Sequence, residues 1–572
     1  MDEQYFEMQR RARMYLEREH DPVFREDVEQ VIAADDREGL IDRFYQDLSF
    51  GTAGMRGIIG GGTNRVNPMT VSTVTEGLAR YIKDAGGDLV VIAYDSRRYS
   101  QLFAQTAASV LCAHNIHVQM FPELRPVPML SFAVRHLGAC AGIVITASHN
   151  PAGYNGYKVY WSDGGQVTPP HDVSIVRRVK EVRAEHMEIP SLALEEAADA
   201  GLYSLVDSGV DEAYFTMVQS AAVRKHLFSE HPAVVVYTPL HGSGRMPVER
   251  ILTDLHAQVV IVPEQAEPDG NFPTVVNPNP EDHKAMALAV DLAIARKADL
   301  VLGTDPDGDR LGIALPSDGG KREYRLLTGN QIAVLLADYI LTARQVAGTP
   351  VTVKSLVTTD LVRKVTEARG GRCVDVLTGF KYIAEVMEQL EGSDDVFVLG
   401  AEESYGYLVE TDVRDKDAVS AAVMAVEMAC WEQSRDRTLL DRLEELWDEF
   451  GYHEERVLSR SLPGQLGQRQ IVKLMEHFRS TVMDSLGPFE VTQRIDLLSE
   501  DSGFPKTNML IYRLAGGGSF MLRPSGTEPK IKSYLFAVSK AGDPADRIRA
   551  AAEELDAMEV YFDQQLSLVR EL

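Results

Sequence analysis

Two hydrophobic patterns alternate along most of the chain. Short apolar runs, such as 89–94 (L-V-V-I-A-Y), 141–145 (A-G-I-V-I), 234–237, 300–303, 351–354 and 396–399, fit strands buried on both faces. Residues 118–121 and 259–262 read as further extended pieces, and 311–315 as another apolar run. Stretches with helical periodicity lie between them at 101–114, 211–226, 284–297 and 329–342. Strands and helices in alternation predict βαβ units around mostly parallel sheets. Residues 1–47 read as helical, with mixed charge and one glycine, Gly39. Residues 190–201 look like a helical connection into a second unit. From about residue 450 the pattern changes: a helix at 470–485, strand-like pieces at 508–514, 519–522 and 531–537, then a helical tail at 544–572.

Length sharpens this picture. At 572 residues the chain is too long for one core, and about 150 residues per domain gives about four. The pattern places them at 1–205, 206–325, 326–449 and 450–572: three βαβ-like units and a different tail.

Charge narrows the function classes. Lysine and arginine number 58 against 85 acidic residues, a net of 58 − 85 = −27. That argues against non-specific nucleic-acid or anionic-membrane binding, which needs basic surface. An anionic substrate would be held only where basic side chains converge. Cys112, Cys140, Cys373 and Cys430 are far apart and form no C-x-x-C, so neither a zinc ribbon nor a redox pair is expected. Few cysteines fit a reducing compartment. The N-terminus lacks the basic and apolar regions of a signal peptide, and no apolar run approaches a membrane span. The expected location is the cytoplasm.

Four stretches carry candidate chemistry. The run 141–145 is stopped by Thr146-Ala147-Ser148-His149-Asn150-Pro151, since Pro151 has no N–H for a ladder. Ser148 is therefore expected just past the carboxyl end of a buried strand, where open α/β sheets place ligands. Lys158 follows in the next extended stretch. Earlier, Phe50-Gly51-Thr52-Ala53-Gly54-Met55-Arg56-Gly57 is a Gly-rich loop with one arginine, able to wrap an anion with N–H groups. Its glycine spacing is neither a Rossmann fingerprint nor a Walker A loop.

Thr304-Asp305-Pro306-Asp307-Gly308-Asp309-Arg310 sets three carboxylates at alternate positions, pointing to one side of an extended loop. At roughly 4 Å each pair would repel by about 1 kcal/mol in water and about 4 kcal/mol when partly buried. A cation is expected, and oxygen-only ligands suit Mg²⁺. An EF-hand fails: Arg310 stands at position six and Pro316 at position twelve. A haloacid-dehalogenase-type phosphatase also uses Asp-x-Asp near a strand end, but Asp309 stands where that motif continues with Thr or Val. Finally, Arg523-Pro524-Ser525-Gly526-Thr527-Glu528-Pro529-Lys530 combines an arginine fork, two hydroxyls and loop N–H groups, which suit a phosphate dianion.

Together these motifs resemble those of the α-D-phosphohexomutases, the phosphoglucomutase and phosphomannomutase superfamily, and most closely its phosphoglucomutase/phosphopentomutase branch. T-A-S-H-N-P resembles the phosphoserine loop, F-G-T-A-G-x-R-G the first active-site loop, and 269–282 the loop P-D-x-x-F-P-T-V-x-x-P-N-P-E. The run 304–310 is similar to the metal loop D-G-D-G-D-R, with Pro306 for the first Gly. Leu377-Thr378-Gly379-Phe380-Lys381 resembles a strand-to-helix loop of the family. Gly400-Ala401-Glu402-Glu403-Ser404-Tyr405-Gly406 resembles the sugar-reading loop G-x-E-E-S-x-G, although on its own residues it reads as a helix N-cap. Arg414-Asp415-Lys416-Asp417-Ala418 has Ala where the family usually has Gly, and 523–529 is similar to the phosphate anchor R-x-S-x-T-E-P.

The resemblance implies three similar α/β domains with mixed, mostly parallel sheets plus a smaller α+β C-terminal domain around a central cleft. It implies a phosphosugar mutase in which phosphorylated Ser148 exchanges its phosphoryl group with a sugar monophosphate through a bisphosphate. Ser148, Asp305, Asp307 and Asp309 would hold Mg²⁺. Arg56 and Arg310 would stabilise the transferring group, and His149, Lys158 and Lys416 are candidate proton acceptors. Lys354, Gly379, Glu402, Ser404, Arg523, Ser525, Gly526 and Thr527 would bind substrate. Glucose 1,6-bisphosphate would prime the serine. Glucose phosphate is the first-choice substrate; phosphopentose, mannose phosphate and glucose 1,6-bisphosphate synthesis stay open, as does a non-catalytic sugar-phosphate sensor. A monomer or weak dimer is expected.

Overall fold

The computed structural model describes residues 2–51, 54–185, 187–462, 464–480, 484–525 and 530–571. Helices Asp2–Arg18, Pro22–Ala33 and Arg37–Phe44 come first, as the mixed-charge pattern predicts. Asp21 and Asp36 cap the second and third by accepting backbone N–H groups.

Four sheets follow. The first has seven strands in the order Phe50–Gly51, Gly54–Ile58, Tyr154–Trp161, Ala141–Ile145, Leu89–Tyr94, His117–Met120, Tyr203–Leu205. Its last four strands are parallel and its first four run antiparallel to their neighbours. The Gly-rich stretch expected to be a loop is thus a hairpin edge of this sheet: Arg56 sits on a strand, in register with Gly156. The second sheet runs Tyr324–Leu326, Leu311–Pro316, Leu300–Thr304, Val234–Thr238, Gln258–Ile261. The third runs Arg372–Val376, Thr349–Ser355, Asp395–Glu402, Gly406–Leu408. Both have a parallel core and an antiparallel hairpin at one side.

The fourth sheet is antiparallel throughout, in the order Tyr452–Ser461, Lys530–Ser539, Ser519–Pro524, Leu510–Leu514, Phe489–Asp496, Ser485–Leu486. Two of its long strands, Tyr452–Ser461 and Phe489–Asp496, escaped the sequence reading. Their burial alternates irregularly, so no continuous apolar run announces them.

One repeat governs where function falls. In each of the first three sheets, a buried parallel strand turns back at its carboxyl end into an antiparallel strand. The three turns are 146–153, 305–310 and 403–405, and they carry Ser148, the aspartate triplet and Ser404. Parallel strands buried on both faces need continuous apolar runs, and these runs are what made the strands legible.

The largest apolar cluster runs through all four units. A second cluster joins Leu356, Val357 and Leu377 to Met509, Ile511, Met521, Tyr534 and Phe536, seating the fourth sheet on the third unit. Arg513 adds an ion pair to Asp360 at 2.7 Å. Among the described residues no helix is long and apolar enough to cross a membrane.

Candidate functional site

The strand Ala141–Ile145 is fully buried, and Thr146 ends it by accepting the Ser148 N–H on Oγ1 at 2.9 Å. Ser148 then adopts a left-handed backbone, φ +52°. A non-glycine residue pays roughly 1–2 kcal/mol there. What holds it is Arg97, three residues beyond the end of strand Leu89–Tyr94. Its guanidinium donates to the carbonyls of Pro151 at 2.9 Å, Tyr154 at 3.0 Å, Ser148 at 2.6 Å and Asn150. Asp95 lies 3.4 Å from Nε. Both side chains are buried. Strand Leu89–Tyr94 pairs directly with Ala141–Ile145, so the loop after one reaches the loop after the other; the signal was Asp-x-Arg at a strand end beside the serine strand.

We expect Arg97→Ala to destabilise the protein by about 3–5 kcal/mol, the usual result of leaving one member of a buried ion pair alone. Arg97→Lys, which keeps the charge and loses the fork, should lower kcat more than it lowers stability. Urea titration beside steady-state kinetics reads both. Unchanged stability in the alanine variant would remove Arg97 from this role.

Ser148 Oγ donates to Asp305 Oδ2 at 2.7 Å, and His149 Nδ1 lies 3.2 Å from the same Oγ. The triplet converges, with ligand oxygens of Asp305, Asp307 and Asp309 all within 4.8 Å of one another. The reason differs from the extended alternation expected. Residues 306–308 form a turn in which Gly308 N donates to Asp305 O at 3.0 Å and Gly308 takes φ +64°. Only glycine fits: a Cβ there would stand 2.7 Å from Pro126 Cβ. Pro306 replaces a glycine of the resembling motif without disturbing the turn, and its carbonyl accepts from Ser243 N and Oγ at 2.8 Å each.

Cations face the triplet. Lys158 Nζ sits 2.8 Å from Asp307 Oδ2 and 3.4 Å from Asp309 Oδ2. Lys416 Nζ sits 3.2 Å from Asp309 Oδ2 and 2.9 Å from Asp415 Oδ1. Arg310 pairs with Glu281 at 2.7 Å. Arg56, exposed, donates to Asn150 Oδ1 of the serine loop at 3.1 Å. Burial, then the charges of Asp307 and Asp309, push Asp305 well above the carboxylate range. Burial also acts on Asp307, but Lys158 beside it holds it below that range. Burial alone would lower Lys158; the two aspartates keep it raised and charged. His149 is pushed down to about 3 by burial and by Arg310 and Arg56, so it is neutral at pH 7.

The three aspartates fit a divalent cation. Oδ1 of Asp307 and Oδ1 of Asp309 are buried with no hydrogen-bond partner. Such orphaned oxygens are costly without an ion, and an all-oxygen donor set suits Mg²⁺.

The sugar-reading candidates are brought to the same place by backbone. Leu311 N donates to Tyr405 O at 3.0 Å, and Arg310 bridges to Gly406. Residues 403–405 form a hairpin turn between strands Asp395–Glu402 and Gly406–Leu408, so the helix N-cap reading of this stretch is corrected. Glu402 is buried and accepts from Gly379 N at 2.8 Å. Gly379 has φ +126°, which glycine alone adopts readily. Ser404 is half-buried at the turn. Gly406 leaves room for Lys416, whose Cδ would stand 2.2 Å from a Cβ there. Ala418, in place of the usual glycine, begins helix Ala418–Gln433 behind the Asp417 cap.

Lys354 departs from expectation. It is fully buried, and its ammonium faces Asp375 at 2.9 Å, Asp360 at 3.2 Å and Thr358 O at 3.0 Å. Two carboxylates and a carbonyl around a buried ammonium brace the third sheet. Arg523 lies at the end of strand Ser519–Pro524, in register with Lys532, and Ser525 N donates to Lys530 O at 2.8 Å. Gly526 and Thr527 lie outside the described residues, as do Thr52 and Ala53 of the first loop.

Known proteins share this arrangement. The chain matches the family models described as phosphoglucomutase/phosphomannomutase α/β/α domain I over 47–186, domain II over 212–319 and domain III over 328–450. A phosphoglucomutase of Staphylococcus epidermidis is 38% identical over 87% of this chain and 94% of its own. One from Staphylococcus aureus is 36% identical over 94% of this chain and 97% of its own. Among solved structures, the open form of the Paramecium phosphoglucomutase parafusin has a TM-score of 0.73 at 16% identity, covering 92% of this chain and 96% of that one. A putative phosphomannomutase from Thermus thermophilus has a TM-score of 0.68 at 24% identity, covering 90% and 99%; both share the fold. With a buried serine 2.7 Å from the first of three convergent aspartates, and with matches over all three α/β domains and relatives spanning most of its length, the chain belongs to the phosphoglucomutase/phosphomannomutase family.

Proposed function

We propose that this protein is a phosphoglucomutase, moving a phosphoryl group between C1 and C6 of glucose phosphate by way of phosphorylated Ser148. The observation that carries the reading is the convergence, at hydrogen-bonding distances, of Ser148 Oγ with Asp305, Lys158 with Asp307 and Lys416 with Asp309. The names of relatives at 36–38% identity support glucose as the sugar.

Phosphoryl transfer needs positioning and charge neutralisation more than covalent help. Mg²⁺ on Asp305, Asp307 and Asp309, with Ser148 beside it, would supply Lewis-acid stabilisation of the transferring group. Lys158 and Lys416, held charged by neighbouring aspartates, present donors beside the triplet. Arg56 and Arg310 would stabilise the equatorial oxygens of the transferring group. Neutral His149 offers a lone pair next to Oγ. Glu402 and Ser404 read sugar hydroxyls, and Arg523 anchors the phosphate that is not transferred. The sugar bisphosphate turns over before its second phosphoryl returns to Ser148, and glucose 1,6-bisphosphate primes the serine. The four units 1–205, 206–325, 326–449 and 450–572 then bring one loop each to the cleft.

The deciding experiment compares kcat/KM on glucose 1-phosphate, ribose 1-phosphate and mannose 1-phosphate in a coupled assay. Glucose 1-phosphate should lead; a higher value on ribose 1-phosphate would make the enzyme a phosphopentomutase, and no turnover of any would leave a sensor. Within this reading, Glu402→Gln and Ser404→Ala should each lower kcat/KM for glucose 1-phosphate about 10–100-fold, equivalent to about 1–3 kcal/mol for an unpaired hydroxyl partner. Hydrolysis of phosphorylated Ser148 by water should stay unchanged. Equal losses in both reactions would make the loop structural.

A further inference from the structure

Where the N-terminal helices meet the first sheet's unit, a cavity of about 380 Å³ opens between helix Asp2–Arg18, the first turn of helix Pro68–Asp84 and the end of helix His171–Glu185. These N-terminal helices precede the first family-domain match, which starts at residue 47. The cavity's charge is opposite to that of the whole chain. Arg10, Arg11, Arg18 and Arg183 line it against Glu7 and Asp47, a local balance of 4 − 2 = +2 within a chain of net −27.

Two of these arginines are already spent. Arg10 forks onto Glu7 at 2.7 and 2.9 Å. Arg11 donates to Asp47 and, at 3.0 Å, to Thr63 Oγ1. Arg18 and Arg183 differ. Arg18 Nη2 donates to Met187 O at 2.8 Å, and Arg183 Nη2 to Leu48 O at 2.6 Å. Each thus meets one neutral carbonyl, and among the described residues neither has a carboxylate within 4.0 Å. Burial lowers the affinity of the Arg183 guanidinium for its proton, with Asp47 acting against it. A guanidinium offers five N–H donors in a planar fork, so each has donors beyond its one carbonyl, and both line the cavity. Two guanidinium groups with no carboxylate in direct contact among the described residues, in a cavity of net +2 large enough for a small metabolite, are matched by a doubly charged, multi-oxygen anion.

We propose that this cavity binds a small phosphate dianion, free or as a phosphate monoester, through Arg18 and Arg183. It lies outside the cleft and uses none of the residues assigned to phosphoryl transfer.

The test is calorimetric titration of the full chain with inorganic phosphate and, separately, with glycerol 3-phosphate. Wild type is compared with Arg18→Gln/Arg183→Gln. The double variant should lose one binding event, or weaken it by at least about 10-fold, as loss of charge-assisted hydrogen bonds predicts, while its basal mutase kcat stays at the wild-type value. Stronger binding of glycerol 3-phosphate than of phosphate would identify a monoester ligand; the reverse would identify free phosphate. Should the double variant fail to fold by circular dichroism, Arg18→Gln alone serves, since among the described residues the Arg18 side chain makes one hydrogen bond, to Met187 O. Identical isotherms for a folded variant and wild type, with either anion, would overturn the proposal. Binding is read in place of turnover, so failure here is distinct from failure of the mutase reading.

Discussion

Ser148→Ala should lower kcat on the order of 10⁴-fold or more, the scale on which loss of a covalent serine nucleophile acts. Intact-mass analysis should find a phosphoryl adduct on the wild-type protein that the variant lacks. The fold should persist, because the left-handed turn at Ser148 is held by Arg97 through backbone carbonyls and by Thr146 through the backbone N–H. The side chain itself contributes its bond to Asp305, and removing it strands an oxygen of a carboxyl that burial already pushes toward the protonated form. A modest stability change with near-complete loss of turnover is the expected signature. Full activity in the variant would sink the phosphoserine mechanism.

The second large effect is on the metal. Chelation by EDTA should abolish turnover, and Mg²⁺ should restore it best among divalent cations. Asp307→Asn should weaken Mg²⁺ binding and lower kcat by roughly 10²–10³-fold, consistent with the several kcal/mol that a bound cation supplies to developing charge. The variant also removes the negative charge 2.8 Å from Lys158, leaving that of Asp309 at 3.4 Å.

The pH dependence has a defined sign. Asp305 is raised well above the carboxylate range by burial and by its two neighbours, so the metal-free form retains a proton there that a cation must displace. Mg²⁺ affinity should therefore rise with pH and binding should release protons. Conversely, a raised carboxyl favours the folded apo state while protonated, so that contribution is present at low pH and is lost as pH climbs through the folded value. The Mg²⁺-induced rise in Tm should be larger at pH 8 than at pH 6, and nearly absent in Asp307→Asn. Normal turnover after EDTA treatment would mean the triplet does not serve a metal.

Sequence and structure contributed different things. The apolar runs at 141–145 and 300–303 placed Ser148 and Asp305 just beyond strand ends, and both lie there. Such strands are legible because burial on both faces demands unbroken hydrophobicity. The fourth unit was less legible: its strands Tyr452–Ser461 and Phe489–Asp496 are antiparallel and irregularly buried, so local pattern carries little information about them.

What the sequence determined by itself was the set of chemical groups: a serine after a strand, three aspartates two residues apart, lysines and arginines near them, and a phosphate-like anchor motif. Tertiary structure decided which of these meet. Ser148 and Asp305 are 157 positions apart and touch at 2.7 Å, and Lys158 and Asp307 are 149 apart. It also decided what Lys354 does, since a lysine after a strand looks available until Asp360, Asp375 and the Thr358 carbonyl enclose it. Arg97 is the converse case: its role exists only because two adjacent parallel strands end at the same level and lay one loop against the other. Local sequence encodes backbone preference and chemical type. Electrostatic pairing and burial depend on distances across the fold, which are set when the sheets pack.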